Sequence, residues 1–87
     1  MNKYKCKCCG YYTLSEKPLD HNGYPGTFEI CPVCFWEDDS IQYKNPDYCG
    51  GANKISLNEA KINFENFGAI ERNFIQFVRK PLPDEII

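Results

Sequence analysis

The clearest hydrophobic periodicity lies in the second half of the chain, where Leu57, Ala60, Phe64 and Phe67 recur at helical spacing and make one apolar stripe. Ser56 and Glu59 precede and open this stripe in capping-box register, in which each side chain can satisfy the other's unpaired backbone N–H. Gly68 follows the last turn and can take the left-handed conformation that ends a helix. The pattern predicts a helix over 57–67 with its apolar face against a sheet. Ile70, Phe74, Phe77 and Val78 fall on one side of a helical wheel, so a second helical segment is predicted over 70–78, ended by Pro81 and Pro83. The tail Asp84-Glu85-Ile86-Ile87 closes on two apolar residues, which either tuck onto the core or stay exposed.

The first half carries no helical period. Tyr11-Tyr12-Thr13-Leu14 and Thr27-Phe28-Glu29-Ile30 are rich in β-formers and are predicted as strands. Between them Pro18 and the run His21-Asn22-Gly23-Tyr24-Pro25-Gly26 are turn residues throughout and read as a loop. Ile41-Gln42-Tyr43-Lys44 alternates apolar and polar before Asn45-Pro46-Asp47 breaks it, which predicts a further short strand. There is no internal repeat, low-complexity segment or long linker.

The cysteines change this picture. Cys6-Lys7-Cys8-Cys9-Gly10 and Cys31-Pro32-Val33-Cys34 each contain a Cys-x-x-Cys pair, and the two pairs together can close four thiolates around one metal. Cys6, Cys9, Cys31 and Cys34 are the expected ligands of a single structural Zn²⁺. A chain of 87 residues buries only about 60 to 65% of the surface its unfolded form exposes, so a staple beyond the apolar core is expected. The opening Met1-Asn2-Lys3-Tyr4-Lys5-Cys6 offers no apolar run for a signal peptide. No stretch approaches the ~18 apolar residues of a membrane span. A cytoplasmic location is therefore expected, and its reduced thiols favour zinc over disulfides. The fold class that follows is small α+β: a zinc-ribbon-like β core with two zinc knuckles over 1–44, packed by one or two C-terminal helices over 45–87, the whole forming a single domain over 1–87.

Charge limits the partners. Ten Lys and Arg against twelve Asp and Glu give a formal net charge of −2, and four thiolates around one divalent cation make the loaded domain more acidic still. Zinc ribbons that bind nucleic acid use a basic face to displace condensed counterions. Here Lys3, Lys5 and Lys7 at the start and Arg72, Arg79 and Lys80 near the end make no such face, so nucleic acid is not the expected partner. Enzymatic classes fit poorly for a chemical reason: a catalytic zinc keeps an open coordination position, whereas four thiolates fill the shell. A nucleobase deaminase would show Pro-Cys-x-x-Cys with an upstream His-x-Glu, and this chain has neither. A thioredoxin-like oxidoreductase would need a βαβ framework that the pattern does not supply.

Several residues outside the four ligands invite a chemical reading, and each has a plainer one. Cys8 reads as a half-buried spacer thiol beside the metal, and as a substitute ligand or redox group otherwise. Cys49 reads as incidental; were it near Cys8, the two could form a reversible disulfide. His21 reads as a solvated loop residue. Trp36-Glu37-Asp38-Asp39, directly after the second pair, is the strongest candidate for binding a cationic partner or for acid and base chemistry. The plainer reading makes it a turn in which Trp36 covers the metal cluster and Arg72 or Arg79 pairs with a carboxylate. Gly50-Gly51-Ala52-Asn53 can offer backbone N–H groups to a ligand, and equally forms a tight turn before the helix.

The motifs Cys6-Lys7-Cys8-Cys9-Gly10-Tyr11-Tyr12-Thr13-Leu14, Glu29-Ile30-Cys31-Pro32-Val33-Cys34-Phe35-Trp36-Glu37-Asp38-Asp39 and Gly50-Gly51-Ala52-Asn53-Lys54-Ile55-Ser56-Leu57 resemble those of the bacterial cysteine-rich family named for its Cys-Pro-Cys-Cys signature. So do Glu59-Ala60, Asn63-Phe64, Phe67-Gly68-Ala69 and Val78-Arg79-Lys80-Pro81, and the resemblance covers nearly the whole chain. The chain departs from the signature at Lys7, where the family has proline. The signature leaves Cys8 or Cys9 as the partner of Cys6, and Gly10 favours Cys9, because a knuckle commonly takes positive φ just after its second cysteine. Two function classes remain. One is a monomeric protein-interaction module, of the kind an immunity protein or antitoxin would use against a basic toxin. The other is a small-molecule-binding or hydrolytic enzyme working through Glu37, Asp38 or Asp39, with a nucleic-acid-associated zinc ribbon as a third and weaker reading.

Overall fold

A computed structural model describes residues 3–16 and 27–86. The predicted loop over 21–26, with His21 and Tyr24, lies outside the described residues, as does Ile87. The β-formers after the first cysteine pair make the short strand β2 (Tyr12–Leu14), which pairs antiparallel with β1 (Tyr4–Lys5). Tyr4 faces Leu14 and Lys5 faces Tyr12, with an irregularity between Tyr4 and Lys5. The cysteine segment 6–11 is the turn of this hairpin, closed by the Cys6 N–H donating to Tyr11 O at 2.9 Å.

The strand predicted at Thr27–Ile30 is reduced to a single bridge between Ile30 and Glu37. Its neighbours still bond in ladder fashion: Phe28 N–H donates to Asp38 O at 2.9 Å and Asp38 N–H to Glu29 O at 3.0 Å. Phe28, however, sits at φ 58°, which breaks the extended run. The Glu29 carboxylate ties this second hairpin to the first by accepting from Ser15 N–H and Oγ at 3.0 Å.

The strand predicted at 41–44 is instead a helix, α1 (Ser40–Lys44). Asp39 caps it, with Oδ1 accepting from Ile41 N–H at 2.7 Å and Gln42 N–H at 3.2 Å. The alternation misleads because the polar residue faces inward: Gln42 is buried, whereas Ile41 is 60% exposed. Gln42 Nε2 donates to the carbonyls of Tyr48, Asn53 and Ile55, and its Oε1 accepts from Asn53 N–H and Nδ2. One amide thus holds most of the loop between α1 and the next helix.

That helix, α2 (Leu57–Phe67), has the predicted bounds. Ser56 Oγ accepts from Glu59 N–H at 3.1 Å, and Gly68 takes φ 85°. Leu57 and Ala60 join Leu14, Val33, Trp36 and Ile70 in the core, and Phe64 meets Tyr11 edge-on at 6.4 Å. The second helical segment is a 3-10 helix at Arg72–Phe77. Both sides of it are tethered to the second cysteine pair, Ile70 N–H donating to Cys34 O at 3.0 Å and Arg79 N–H to Pro32 O at 3.1 Å. A 3-10 helix rises about 2.0 Å per residue against about 1.5 Å for an α-helix, so it spans fixed anchors with fewer residues. After Pro81 the chain forms α3 (Pro83–Ile86) beside β2; its Glu85 is buried and its Ile86 is 59% exposed. The result is a small α+β fold with a two-stranded hairpin, short helices and a cysteine cluster at the junction of the two hairpins.

Candidate metal centre

Both cysteine pairs fold by the same local bonds. In the first, Gly10 N–H donates back to Cys6 O at 2.9 Å; in the second, Phe35 N–H donates to Cys31 O at 2.8 Å and Cys31 N–H to Trp36 O at 2.9 Å. Gly10 has φ 80° and Phe35 has φ 75°, so each knuckle turns left-handed just after its second cysteine. Such a φ is free for glycine and costs about 1 to 3 kcal/mol for phenylalanine. Packing holds Phe35 there, its ring centroid 4.5 Å from Phe74 and 5.8 Å from Phe77.

The correspondence assigns the remaining positions. Cys8 N–H points at Cys6 Sγ and Val33 N–H at Cys31 Sγ, both at 3.4 Å. Cys8 therefore stands where Val33 stands, a small buried residue between two cysteines of a pair. Trp36 N–H also points at Cys34 Sγ at 3.4 Å, and the Thr13 hydroxyl lies 3.0 Å from Cys31 Sγ. Donors aimed at sulfur in this way favour thiolate over thiol.

The sulfurs of Cys6, Cys9, Cys31 and Cys34 all lie within 4.8 Å of one another. Across the knuckles, Cys6 Sγ is 3.5 Å from Cys34 Sγ, and Cys9 Sγ is 3.7 Å from Cys31 Sγ. A tetrahedron with Zn–S bonds of about 2.3 Å has edges of about 3.8 Å. The cluster is therefore suited to hold one metal ion, and Cys9, not Cys8, completes it. Cys6, Cys31 and Cys34 are buried and Cys9 is half-buried. All six cysteines are unbridged, and Cys49 is exposed.

Four thiols this close cannot all ionise unaided. Cys31 is held far below the usual thiol range by hydrogen bonds from Cys34 first, then Cys6 and Cys9, with Thr13 adding to them. Cys6, Cys9 and Cys34 are pushed up, foremost by the neighbouring Cys31 sulfur. One negative charge is thus favoured and three more are resisted, a balance that a divalent cation among the sulfurs would reverse.

The acidic turn divides by burial. Trp36 is inside the core beside the cysteines, and Asp38 and Asp39 are buried as well. Asp38 Oδ2 accepts from Thr27 N–H at 2.9 Å and Thr27 Oγ1 at 3.1 Å. Asp39 caps α1 with one oxygen and accepts from Ala52 N–H at 2.8 Å with the other. Neither arginine pairs with this turn. Arg79 makes a two-pronged pair with Glu85, each N–O distance 2.9 Å, and Arg72 lies over the Phe67 ring at 4.5 Å. Glu37 is held by its backbone, through the Asn53 side chain, and its carboxylate has no hydrogen-bond or ion-pair partner among the described residues.

Residues outside the cysteines and the acidic turn also organise the site. Gln42 and Asn53 pin the loop behind the acidic turn, and Phe35 fixes the second knuckle. Gly51 is needed for close approach: a Cβ there would lie 2.8 Å from Asp39 Oδ2 and 2.9 Å from Gln42 Cδ. The register of Phe35 with Gly10 was a usable signal, since both directly follow the second cysteine of a pair.

The profile of the family described as cysteine-rich CPCC matches residues 4–85. Two curated Bacillus subtilis (strain 168) proteins, both uncharacterized, share local similarity: YozI is 49% identical over 35 residues and YoaQ 47% identical over 34. Each match takes in 39% of this chain and 29% of the relative's length.

Proposed function

The chain belongs to the cysteine-rich CPCC family, and from that footing we propose that it is a zinc-stabilised protein-interaction module, monomeric and cytoplasmic, with residues 1–87 acting as one zinc-ribbon-like domain. The observation that carries the zinc reading is the sulfur geometry, whose 3.5 and 3.7 Å cross-knuckle separations lie close to the edge of a zinc tetrathiolate. Cys6, Cys9, Cys31 and Cys34 would hold the ion. Four thiolates leave no position for water or substrate, so what zinc supplies here is a cross-link between the hairpins and not Lewis-acid chemistry. The amides of Cys8, Val33 and Trp36 and the hydroxyl of Thr13 would offset part of the charge gathered on the sulfurs.

Two features support the module over an enzyme. Asp38 through Oδ2 and Asp39 through both oxygens accept from the chain's own N–H and O–H groups, and Glu37 is the carboxylate of the turn with no such partner among the described residues. The net charge of −2, made more negative by a loaded tetrathiolate, suits a basic partner. An immunity or antitoxin role against a basic toxin is the form of this reading that fits a small acidic domain.

Metal analysis of the purified protein should find about one zinc per chain, and a strong chelator should unfold it, since structural zinc contributes about 10 to 16 kcal/mol in comparable small sites. A metal-free protein that stays folded would sink the scaffold reading. Affinity capture at moderate salt should recover a stoichiometric basic protein. Substrate turnover that Glu37→Gln abolishes would favour the enzyme instead.

A further inference from the structure

Beside the metal centre lies a cavity of about 320 Å³ bounded by the second knuckle, the 52–54 segment and the start of the 3-10 helix. That volume is at the low end for ligand pockets and suits one long side chain. Phe35 and Phe74, whose ring centroids are 4.5 Å apart, give it an aromatic lining. Glu37 and Glu71 are among its lining residues, and neither carboxylate has a hydrogen-bond or ion-pair partner among the described residues. Lys54 also lines it but is exposed, and its flexible stem lets the ammonium move to solvent. Ile30, 45% exposed, gives the cavity an apolar shoulder.

We propose that this cavity is a receptor for an arginine side chain presented by a partner protein, with the guanidinium stacked on Phe35 and Phe74 and paired with Glu37 and Glu71. The proposal deepens the interaction-module reading and rests on it for the source of the arginine. A planar, weakly hydrated cation that stacks on rings while its edge donates to carboxylates is what this combination selects. Lysine, more strongly hydrated and unable to pair edge-on with two carboxylates, fits less well. A free amino acid is disfavoured because its own carboxylate would enter a cavity lined by two others.

The test is an NMR titration of the full, zinc-loaded, ¹⁵N-labelled chain with N-acetyl-arginine-N-methylamide, set beside the matching citrulline, lysine and free L-arginine probes. Saturable shifts at Glu37, Lys54, Glu71 and Phe74, with the citrulline probe at least about ten-fold weaker, are expected. Glu37→Gln and Glu71→Gln, each checked for retained zinc, should weaken capped arginine by about ten-fold, and Lys54→Gln should tighten it. Shifts that do not saturate, that citrulline or lysine reproduces, or that both glutamine variants leave unchanged would overturn the pocket. Free L-arginine binding more tightly than the capped form would overturn the protein-borne source. If a partner is captured equally well by the glutamine variants, the pocket fails and the module stands. If capped arginine saturates the site as expected while no protein partner binds, the module reading fails and the guanidinium site stands.

Discussion

Cys8 and Cys9 are neighbours in sequence with opposite placements. Cys9 contributes its sulfur to the four-sulfur cluster, whereas Cys8 occupies the position that Val33 holds in the other knuckle and contributes its backbone N–H. Cys8→Ala should therefore keep one metal per chain with at most a modest loss of stability, while Cys9→Ala should lower metal affinity by orders of magnitude. Cobalt substitution reads this directly, because a tetrathiolate charge-transfer band should survive in the first variant and collapse in the second. The reverse pattern would transfer the ligand role to Cys8. Phe35 carries a related lesson: at φ 75° it does by packing what Gly10 does by lacking a side chain.

Among the elements, α2 is held largely by local terms and the 45–56 loop by distant ones. Ser56 caps α2 with a single bond to Glu59 N–H, so Ser56→Ala should cost about 1 kcal/mol. Gly51→Ala should cost more, about 1 to 3 kcal/mol, since the new Cβ meets Asp39 and Gln42 and both are fixed by several hydrogen bonds. Urea unfolding of the zinc-loaded variants ranks the two, and a Gly51→Ala protein as stable as wild type would show that the loop is not pinned. The same contrast explains what could be read in advance. Stripe, cap and terminator of α2 all lie within residues 56–68, whereas α1 looked like a strand because its buried residue is a glutamine whose partners lie further along the chain.

At the scale of the molecule, the two ends of the chain close on each other through Glu85. Its carboxylate is fully buried, paired with Arg79, bonded by Leu82 N–H at 2.8 Å and 3.7 Å from Lys3 Nζ. The Arg79 guanidinium, working against burial, holds its pKa down to about 2 from an ordinary 4.5. A carboxylate whose pKa is lower folded than unfolded stabilises fully above the unfolded value and loses that contribution as pH falls through the folded one. Glu85→Gln should therefore cost about 1 kcal/mol at pH 7, Arg79 being partly exposed, and the gap to wild type should narrow between pH 4.5 and 2. Comparing the two proteins by urea unfolding in excess zinc, from pH 7 down to the lowest pH at which both keep the metal, reads the onset of this narrowing and isolates Glu85 from the cysteines, which titrate in both. A gap that does not change with pH would remove Glu85 as the source.

Sequence alone picked out the two Cys-x-x-Cys pairs that cluster, the bounds of α2 and the strand after the first pair, because each is written in residues close together along the chain. Tertiary structure decided the rest. It turned two of the three acidic residues after Cys34 inward to serve the fold, since buried carboxylates persist only where N–H or O–H groups meet them, and those groups come from the first turn of α1 and from the more distant Thr27 and Ala52. It gave Arg79 to Glu85 and set Phe74 against Phe35 across the second knuckle. Pairings of this kind join residues with no periodic relation, and pattern cannot forecast them; they depend on which surfaces remain to be covered where the hairpins meet at the four-cysteine cluster.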